Sequence, residues 1–327
     1  MLLLATRTIL DCPADEAMNV LFHYTAGPDL AARLGAVPGL RITICPEDDD
    51  ATLTQALPDT AVLWHVLKRC TEAMIAAAPK LKLIQKIGVG VNTINLEAAI
   101  ARGIPVCNLP GTNARAVAEL TLALMLATLR RVPRFDAGLR NGMWLDPQLQ
   151  DGIGELGGRV VGLVGYGAIP RLLAPVLVAL GCHVIYAARR RVADALGAWR
   201  PLDALLAEAD VVSLHLPLTE DTANLIDAAA LARMKPGAIL VNTARGGLVD
   251  PPALEAALRT GRLAAAGLDV FAQEPIDAAD PLLRLPNVVL TPHIAWLTTG
   301  TFDRSFAVAA ENCRRLAAGE ALLHRVA

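Results

Sequence analysis

Along this chain, apolar runs of strand length alternate with alanine- and leucine-rich stretches of helical period, which is the order of repeating βα units. The middle shows it best. Residues 159–165 read as a strand, 171–180 as a helix and 184–187 as a strand. Helix 201–208, strand 211–214, helix 228–234, strand 238–242, helix 252–259 and strands 264–270 and 288–290 follow. These strands are short and continuously apolar, so helices should cover both faces of a parallel sheet.

The N-terminal third reads as a second α/β unit with weaker signals. Residues 114–131 predict a long helix, apolar nearly all round, and so buried between domains or subunits. Residues 132–158 contain glycine and aspartate without a clear period and read as an irregular arm or linker. Near the end, Phe302, Phe306, Ala309, Cys313 and Leu316 form one helical stripe, with Arg304, Arg314 and Arg315 outside it. Residues 1–10 are apolar, but Arg7 interrupts them and no basic segment precedes them. They read as a first strand and not as a signal peptide.

Composition narrows the classes. The 327 residues suit two domains, and 54% apolar with 19% charged excludes a disordered chain. A balance of 30 basic against 32 acidic residues gives no global excess to neutralise phosphates, and 4% aromatic residues offer few stacking platforms, so nucleic acid is not expected as a partner. The richest apolar stretch, 116–129, contains Glu119 and is too short to span a bilayer. Six scattered cysteines (12, 45, 70, 107, 182, 313) suggest small core residues of a cytoplasmic protein; neither disulfides nor a metal site are expected.

The first chemical signal is Val160-Val161-Gly162-Leu163-Val164-Gly165-Tyr166-Gly167-Ala168-Ile169-Pro170, a strand entering a glycine turn and a helix. Gly165 and Gly167 permit a tight turn and close approach of a pyrophosphate to a helix N-terminus. Pro170 replaces the third glycine of the fingerprint; a first helical turn tolerates it because its missing N–H has no partner there. An acid that would bind the ribose 2′-hydroxyl of NAD is absent after the second strand, where Arg189, Arg190 and Arg191 stand instead. Guanidinium groups match a 2′-phosphate, so NADP is the expected cofactor, with NAD possible.

Arg245, Asp269, Glu274 and His293 each fall at or just after an expected strand end, where ligands of open α/β sheets bind. Arginine before Gly246 and Gly247 suits close approach of a small anion. Alone, each of these residues would pass for an ordinary surface or core group. Their co-occurrence behind a dinucleotide turn makes them a candidate site.

These segments resemble the D-isomer-specific 2-hydroxyacid dehydrogenase family, which includes glyoxylate/hydroxypyruvate reductases and phosphoglycerate dehydrogenases. The resemblance runs from about Ala73 to the C-terminus. Its carriers include Gly88-Val89-Gly90-Val91, Asn108-Leu109-Pro110-Gly111, the glycine turn, His215-Leu216-Pro217-Leu218-Thr219, Asn242-Thr243-Ala244-Arg245-Gly246-Gly247, Leu268-Asp269-Val270-Phe271, Glu274-Pro275 and Pro292-His293. It implies two doubly wound parallel-sheet domains, a Rossmann cofactor domain inserted into a flavodoxin-like substrate domain. The cofactor domain would be 114–295, and the substrate domain 1–113 plus 296–327, with the active site in the cleft between them. The arm would embrace a second subunit in a homodimer.

By the same resemblance, Arg245 would hold the substrate carboxylate and polarise the keto oxygen. His293 would be the acid–base, and Glu274 would pair with it and favour its protonated form. Backbone amides of Val89 and Gly90 would also hold the carboxylate. Asp269 would bind the nicotinamide carboxamide, and Ala168, Ile169, Leu216, Pro217, Thr243, Ala244 and Ala295 match cofactor contacts. The implied reaction is NADPH-dependent reduction of a small 2-oxo acid to the D-2-hydroxy acid. The alternatives are an NAD-linked dehydrogenase of other substrate range and a non-enzymatic nicotinamide sensor of the corepressor type.

Three departures bear on substrate. The loop usually reading Gly-Val-Asp-Asn-Ile-Asp is Gly90-Val91-Asn92-Thr93-Ile94-Asn95 here, and Asn95 is expected to N-cap the helix that follows. Trp296 either narrows the pocket or packs on the ring edge of its neighbours. Trp64, His65 and Lys68 follow an expected strand near the substrate pocket, where core or surface placement is the simpler reading. In some members of the family that this chain resembles, a tryptophan from the partner subunit reaches the substrate pocket; for Trp144, in the arm, core or interface packing is the simpler reading.

Overall fold

The computed structural model describes residues 17–145 and 147–327. The strand expected over 1–10, and Cys12, lie outside the described residues. The chain divides into two compact units. One runs up to Thr112 and resumes over Thr299–Ala327; the other is Asn113–Thr298. The divisions fall at 112/113 and 298/299, where 113/114 and 295/296 were expected.

The first unit begins β1 (Met18–His23), α1 (Pro28–Gly35), β2 (Leu40–Cys45), α2 (Asp50–Ala56) and β3 (Val62–His65). It continues α3 (Glu72–Ala76), β4 (Leu83–Lys86), α4 (Leu96–Ala101) and β5 (Val106–Cys107). All pairings are parallel in the order β2-β1-β3-β4-β5. That is the flavodoxin-like order, with its topological switch between β1 and β3. Asn95 caps α4 as expected, its side chain accepting from the Ala98 amide at 3.0 Å. Trp64 and His65 do not follow β3. They lie within it and are fully buried, and Trp64 stacks on Phe306 with ring centroids 5.4 Å apart.

The second unit opens with α5 (Ala114–Arg130), α6 (Val132–Arg140) and α7 (Pro147–Gln150). Then come β6 (Val160–Val164), α8 (Ala168–Ala179), β7 (His183–Ala187), β8 (Ala198–Trp199), α9 (Leu202–Glu208) and β9 (Val211–Leu214). The rest is α10 (Ala228–Arg233), β10 (Ala238–Asn242), α11 (Pro251–Arg259), β11 (Leu263–Leu268) and β12 (Val288–Leu290). Its seven strands are parallel in the order β12-β11-β10-β9-β6-β7-β8, the doubly wound arrangement with a switch beside β6. A last helix, α12 (Thr299–Ala318), returns to the first unit and carries Phe302, Phe306, Ala309 and Cys313 buried on one face.

Several expectations need correction. The apolar helix α5 is buried by its own unit, against β10, β11, β12 and α8, so its apolar girth is explained without a neighbouring domain. It stops at Arg131, whose left-handed backbone (φ 53°) precedes Pro133. The segment 132–158 is not wholly irregular: α6 and α7 lie in it, and α6 sets Val132, Phe135 and Leu139 at helical spacing while burying none of them. Helix α8 begins at Ala168, three positions before the 171 expected, with Pro170 in its first turn. Trp144 is 86% exposed and belongs to no core.

Candidate active site

The glycine turn is built by its backbone. Gly165 has φ 98°, and a Cβ there would stand 2.7 Å from the His215 carbonyl oxygen, so glycine alone fits where the chain from β6 passes that from β9. A Cβ at Gly167 would meet no protein atom within 4 Å. The fold itself therefore does not require glycine at the N-cap of α8. Ala168 and Ile169 form the first turn of that helix.

Beyond β7, Arg189 and Arg190 are exposed and, with Ala188, line a cavity of about 500 Å³. Arg191 is used differently: its guanidinium lies 5.1 Å from the ring centroid of Trp199, whose indole N–H donates to the Ala188 carbonyl at 3.1 Å. The three arginines thus divide into two that face the cavity and one that stacks. Leu216 is half-buried and Pro217 exposed, just past β9.

Arg245 follows β10. The Asn242 side chain spans its turn, accepting from the Ala244 amide at 3.0 Å and donating to the Arg245 carbonyl at 2.9 Å. The Arg245 guanidinium donates to the Ala244 carbonyl at 2.6 Å. Burial lowers its pKa from the ordinary value, opposed by the charge of Glu274. Thr243 is buried, its hydroxyl paired with that of Thr121 on α5 at 2.8 Å. Gly246 packs against the next loop: a Cβ there would fall 1.9 Å from the Phe271 carbonyl carbon. The Arg245 turn and the loop carrying Glu274 thus rest on each other's backbone.

Glu274 and His293 meet. His293 Nδ1 lies 2.6 Å from Glu274 Oε2, while Glu274 Oε1 accepts from the Phe271 amide at 2.9 Å. Burial opposes ionisation of Glu274. The hydrogen bond and charge of His293, the Phe271 amide and Arg245 outweigh it and hold the carboxyl below its usual range. Both side chains keep part of their surface, 22% for His293 and 34% for Glu274.

His293 has φ 54°, a left-handed conformation uncommon for histidine. Asp269, fully buried at the end of β11, imposes it. The Asp269 carbonyl accepts from His293 N at 2.8 Å. Its Oδ1 accepts from the Thr291 hydroxyl (2.6 Å) and the Ile294 amide (2.9 Å), and its Oδ2 from the Ala295 amide (2.9 Å). Burial raises the Asp269 pKa, offset by these donors and by His293. The resemblance implied a direct cofactor contact for Asp269. The structure shows its carboxylate folding the 291–295 turn. Trp296 closes the turn: it is buried and donates its indole N–H to the His293 carbonyl at 3.0 Å.

Sequence reasoning did not single out Asn242, Thr291 or Thr121. Only the neighbourhood of Asn242 to Arg245 and of Thr291 to His293 could have pointed to the first two. Val89 and Gly90 belong to the other unit, after β4, with Val89 exposed. Among the described residues, no cluster of histidine, cysteine and carboxylate groups is arranged to hold a metal ion, and no helix is long and apolar enough to cross a membrane.

Residues 122–295 match the D-isomer specific 2-hydroxyacid dehydrogenase, NAD binding domain family. The chain is 42% identical over 306 residues to D-3-phosphoglycerate dehydrogenase of Mycobacterium leprae, covering 92% of this chain and 54% of that protein. It is 40% identical over 285 residues to glyoxylate reductase of Aeropyrum pernix, covering 84% of this chain and 85% of the relative. The crystal structure of TT0316 protein from Thermus thermophilus superposes with a TM-score of 0.85 at 40% identity, covering 95% of this chain and all of that one. The chain therefore belongs to the D-isomer-specific 2-hydroxyacid dehydrogenase family, and it spans about half the length of the phosphoglycerate dehydrogenases it matches.

Proposed function

We propose that this chain reduces a small 2-oxo acid of the glyoxylate or hydroxypyruvate class to its D-2-hydroxy acid, with NADPH as the preferred cofactor. The observation that carries the proposal is the 2.6 Å contact of His293 Nδ1 with Glu274, in the unit that also holds Arg245 and the glycine turn. With Nδ1 donating to a carboxylate, Nε2 is left to give its proton to the substrate carbonyl oxygen. Arg245 binds the carboxylate and polarises the same carbonyl. The amides of Val89 and Gly90 supply further donors to that carboxylate. Glu274 fixes the imidazole ring in place.

The residues present fit a nicotinamide dinucleotide. The open space before Gly167 and the N-terminus of α8 suit the pyrophosphate. Arg189 and Arg190, on the cavity beyond β7, suit a 2′-phosphate. Leu216, Pro217, Thr243, Ala244, Asp269 and Ala295 would contact the remainder, as the resemblance implies. The cofactor supplies the hydride when bound. Likeness to D-3-phosphoglycerate dehydrogenases favours a second reading, an NAD-linked dehydrogenase of other substrate range.

Two measurements test the proposal. The ratio of kcat/KM with NADPH to that with NADH should favour NADPH, and it should fall about tenfold or more in Arg189→Ala. Full retention of the preference in the variant overturns the role given to the arginines. A panel of 2-oxo acids tests the reaction itself: NADPH binding without turnover of any would leave the chain a nicotinamide sensor. A homodimer belongs to the same proposal. Leu172, Val176 and Leu180, four residues apart on or just past α8, are exposed together with Leu139 and Met143. Light scattering should return twice the chain mass.

A further inference from the structure

The carboxyl edge of the five-stranded sheet holds a row of polar groups that the proposed reaction does not use. The last residues of β1, β3 and β4 are His23, His65 and Lys86. They are register partners across adjacent strands, so their side chains share one face. Exposure is 1%, 0% and 6%, unusual for such groups at a topological switch point. Neither ring nitrogen of His23 has a hydrogen-bond partner. His65 Nε2 pairs with the Lys68 carbonyl at 2.7 Å, so it carries the proton and Nδ1 accepts. That Nδ1 faces Lys86 Nζ at 3.4 Å, and the same ammonium donates to the Val66 carbonyl.

The stem of Lys86 also packs against the start of the loop proposed to bind the carboxylate. A Cβ on Gly88 would sit 3.4 Å from Lys86 Cε. The loop carbonyls are tied back: Gly88 accepts from the Leu109 amide at 2.8 Å, and Val89 from the Asn108 side chain at 2.9 Å. The amides of Val89 and Gly90 donate to no acceptor among the described residues. The charge of Lys86 acts on the Glu47 carboxylate, whose Oε1 accepts from the Lys68 amide at 3.0 Å, while the Lys68 ammonium pairs with Asp50. Burial and nearby lysines lower both imidazole pKa values, so the histidines add no charge at neutral pH.

We propose that Lys86 is a specificity-determining positioning residue: its buried ammonium, carried on a stem that packs against Gly88, makes the loop of Val89 and Gly90 select a carboxylate over an uncharged group. This rests on the substrate role given above to those two amides. A cation held in a poorly solvated place acts on an incoming anion with less screening than one at the surface.

The test uses Lys86→Met, close in shape, and Lys86→Gln, whose amide can still donate to Val66. Oxalate binding, read by calorimetry on the full chain, needs no turnover. Both variants should bind oxalate about tenfold or more weakly than wild type. KM for hydroxypyruvate should rise by a similar factor with kcat within about twofold, and kcat/KM for its methyl ester should stay unchanged. If Lys86→Met fails to fold, Lys86→Gln carries the comparison. Oxalate binding equal to wild type, or equal losses for acid and ester, overturns the proposal, as does a wild type that binds no oxalate. Lys86-dependent oxalate binding without reduction of any 2-oxo acid instead overturns the reductase reading and leaves the role of Lys86 standing.

Discussion

Both parallel sheets gather polar side chains at the carboxyl ends of their strands, but the seven-stranded unit carries them on loops and the five-stranded unit on the strands themselves. Arg245, Glu274 and His293 lie beyond β10, β11 and β12, keep partial exposure, and are aimed by short contacts between loops. His23, His65 and Lys86 close β1, β3 and β4, are held by sheet register, and are shut away from water. A proton carrier must exchange protons with substrate and solvent, which partial exposure allows. A fixed charge serves best where water cannot screen it.

The largest effect separating the two regions should come from the loop groups. His293→Gln and Arg245→Ala should each lower kcat/KM for 2-oxo acid reduction by about 10²–10⁴, measured as NADPH oxidation, with Tm within a few degrees of wild type. A drop of less than tenfold in either would remove that residue from the chemistry. Next comes Gly246→Ala, which drives a methyl group into the Phe271–Ala272 backbone. It should cost about 1–3 kcal/mol or more and lower Tm by about 2–4 °C per kcal/mol. Because Arg245 and Glu274 share that contact, activity should fall with stability.

Glu274→Gln should act through pH. The Glu274 carboxyl is held below its ordinary value, so its contribution to stability is present above about pH 4.3 and fades as pH falls through the depressed pKa. The wild-type Tm should therefore decline on the acid side more steeply than that of the variant. Parallel curves would mean that the pair adds nothing to folding. The smallest effect concerns the sulfurs. Cys45, Cys70, Cys107, Cys182 and Cys313 are all buried and free, and burial pushes Cys70 and Cys313 to about 12 and Cys107 to about 11. At pH 7 these five should resist alkylation in the folded chain and react on denaturation, as mass spectrometry of labelled peptides would show.

Legibility followed the same division. The loop site could be read because its residues sit in short contiguous segments: a glycine turn, an arginine before two glycines, a histidine after a proline. Strands β6, β9, β10 and β12 could be read from continuous apolar runs, and the cap of α4 from a single asparagine. Helix α6 was hidden because its three apolar positions, Val132, Phe135 and Leu139, share nine residues with Pro133 and Gly138, and β8 is only two residues long. Asp269 was legible as a residue at a strand end. Only the hydrogen bonds to Thr291, Ile294 and Ala295 show it folding the turn that carries His293. The three arginines form one run in sequence, and only the fold separates Arg191, stacked on Trp199, from the other two.

By itself the sequence determined the family, the βα order, the dinucleotide turn and the identity of the acid–base candidates, because periodicity and local motifs need no knowledge of distant neighbours. Tertiary structure alone decided that His23, His65 and Lys86, far apart in the chain, stand side by side, and that Gly246 locks two loops together. Parallel pairing joins strands separated by helices, so its register is set by how whole layers pack and leaves no local mark on the chain.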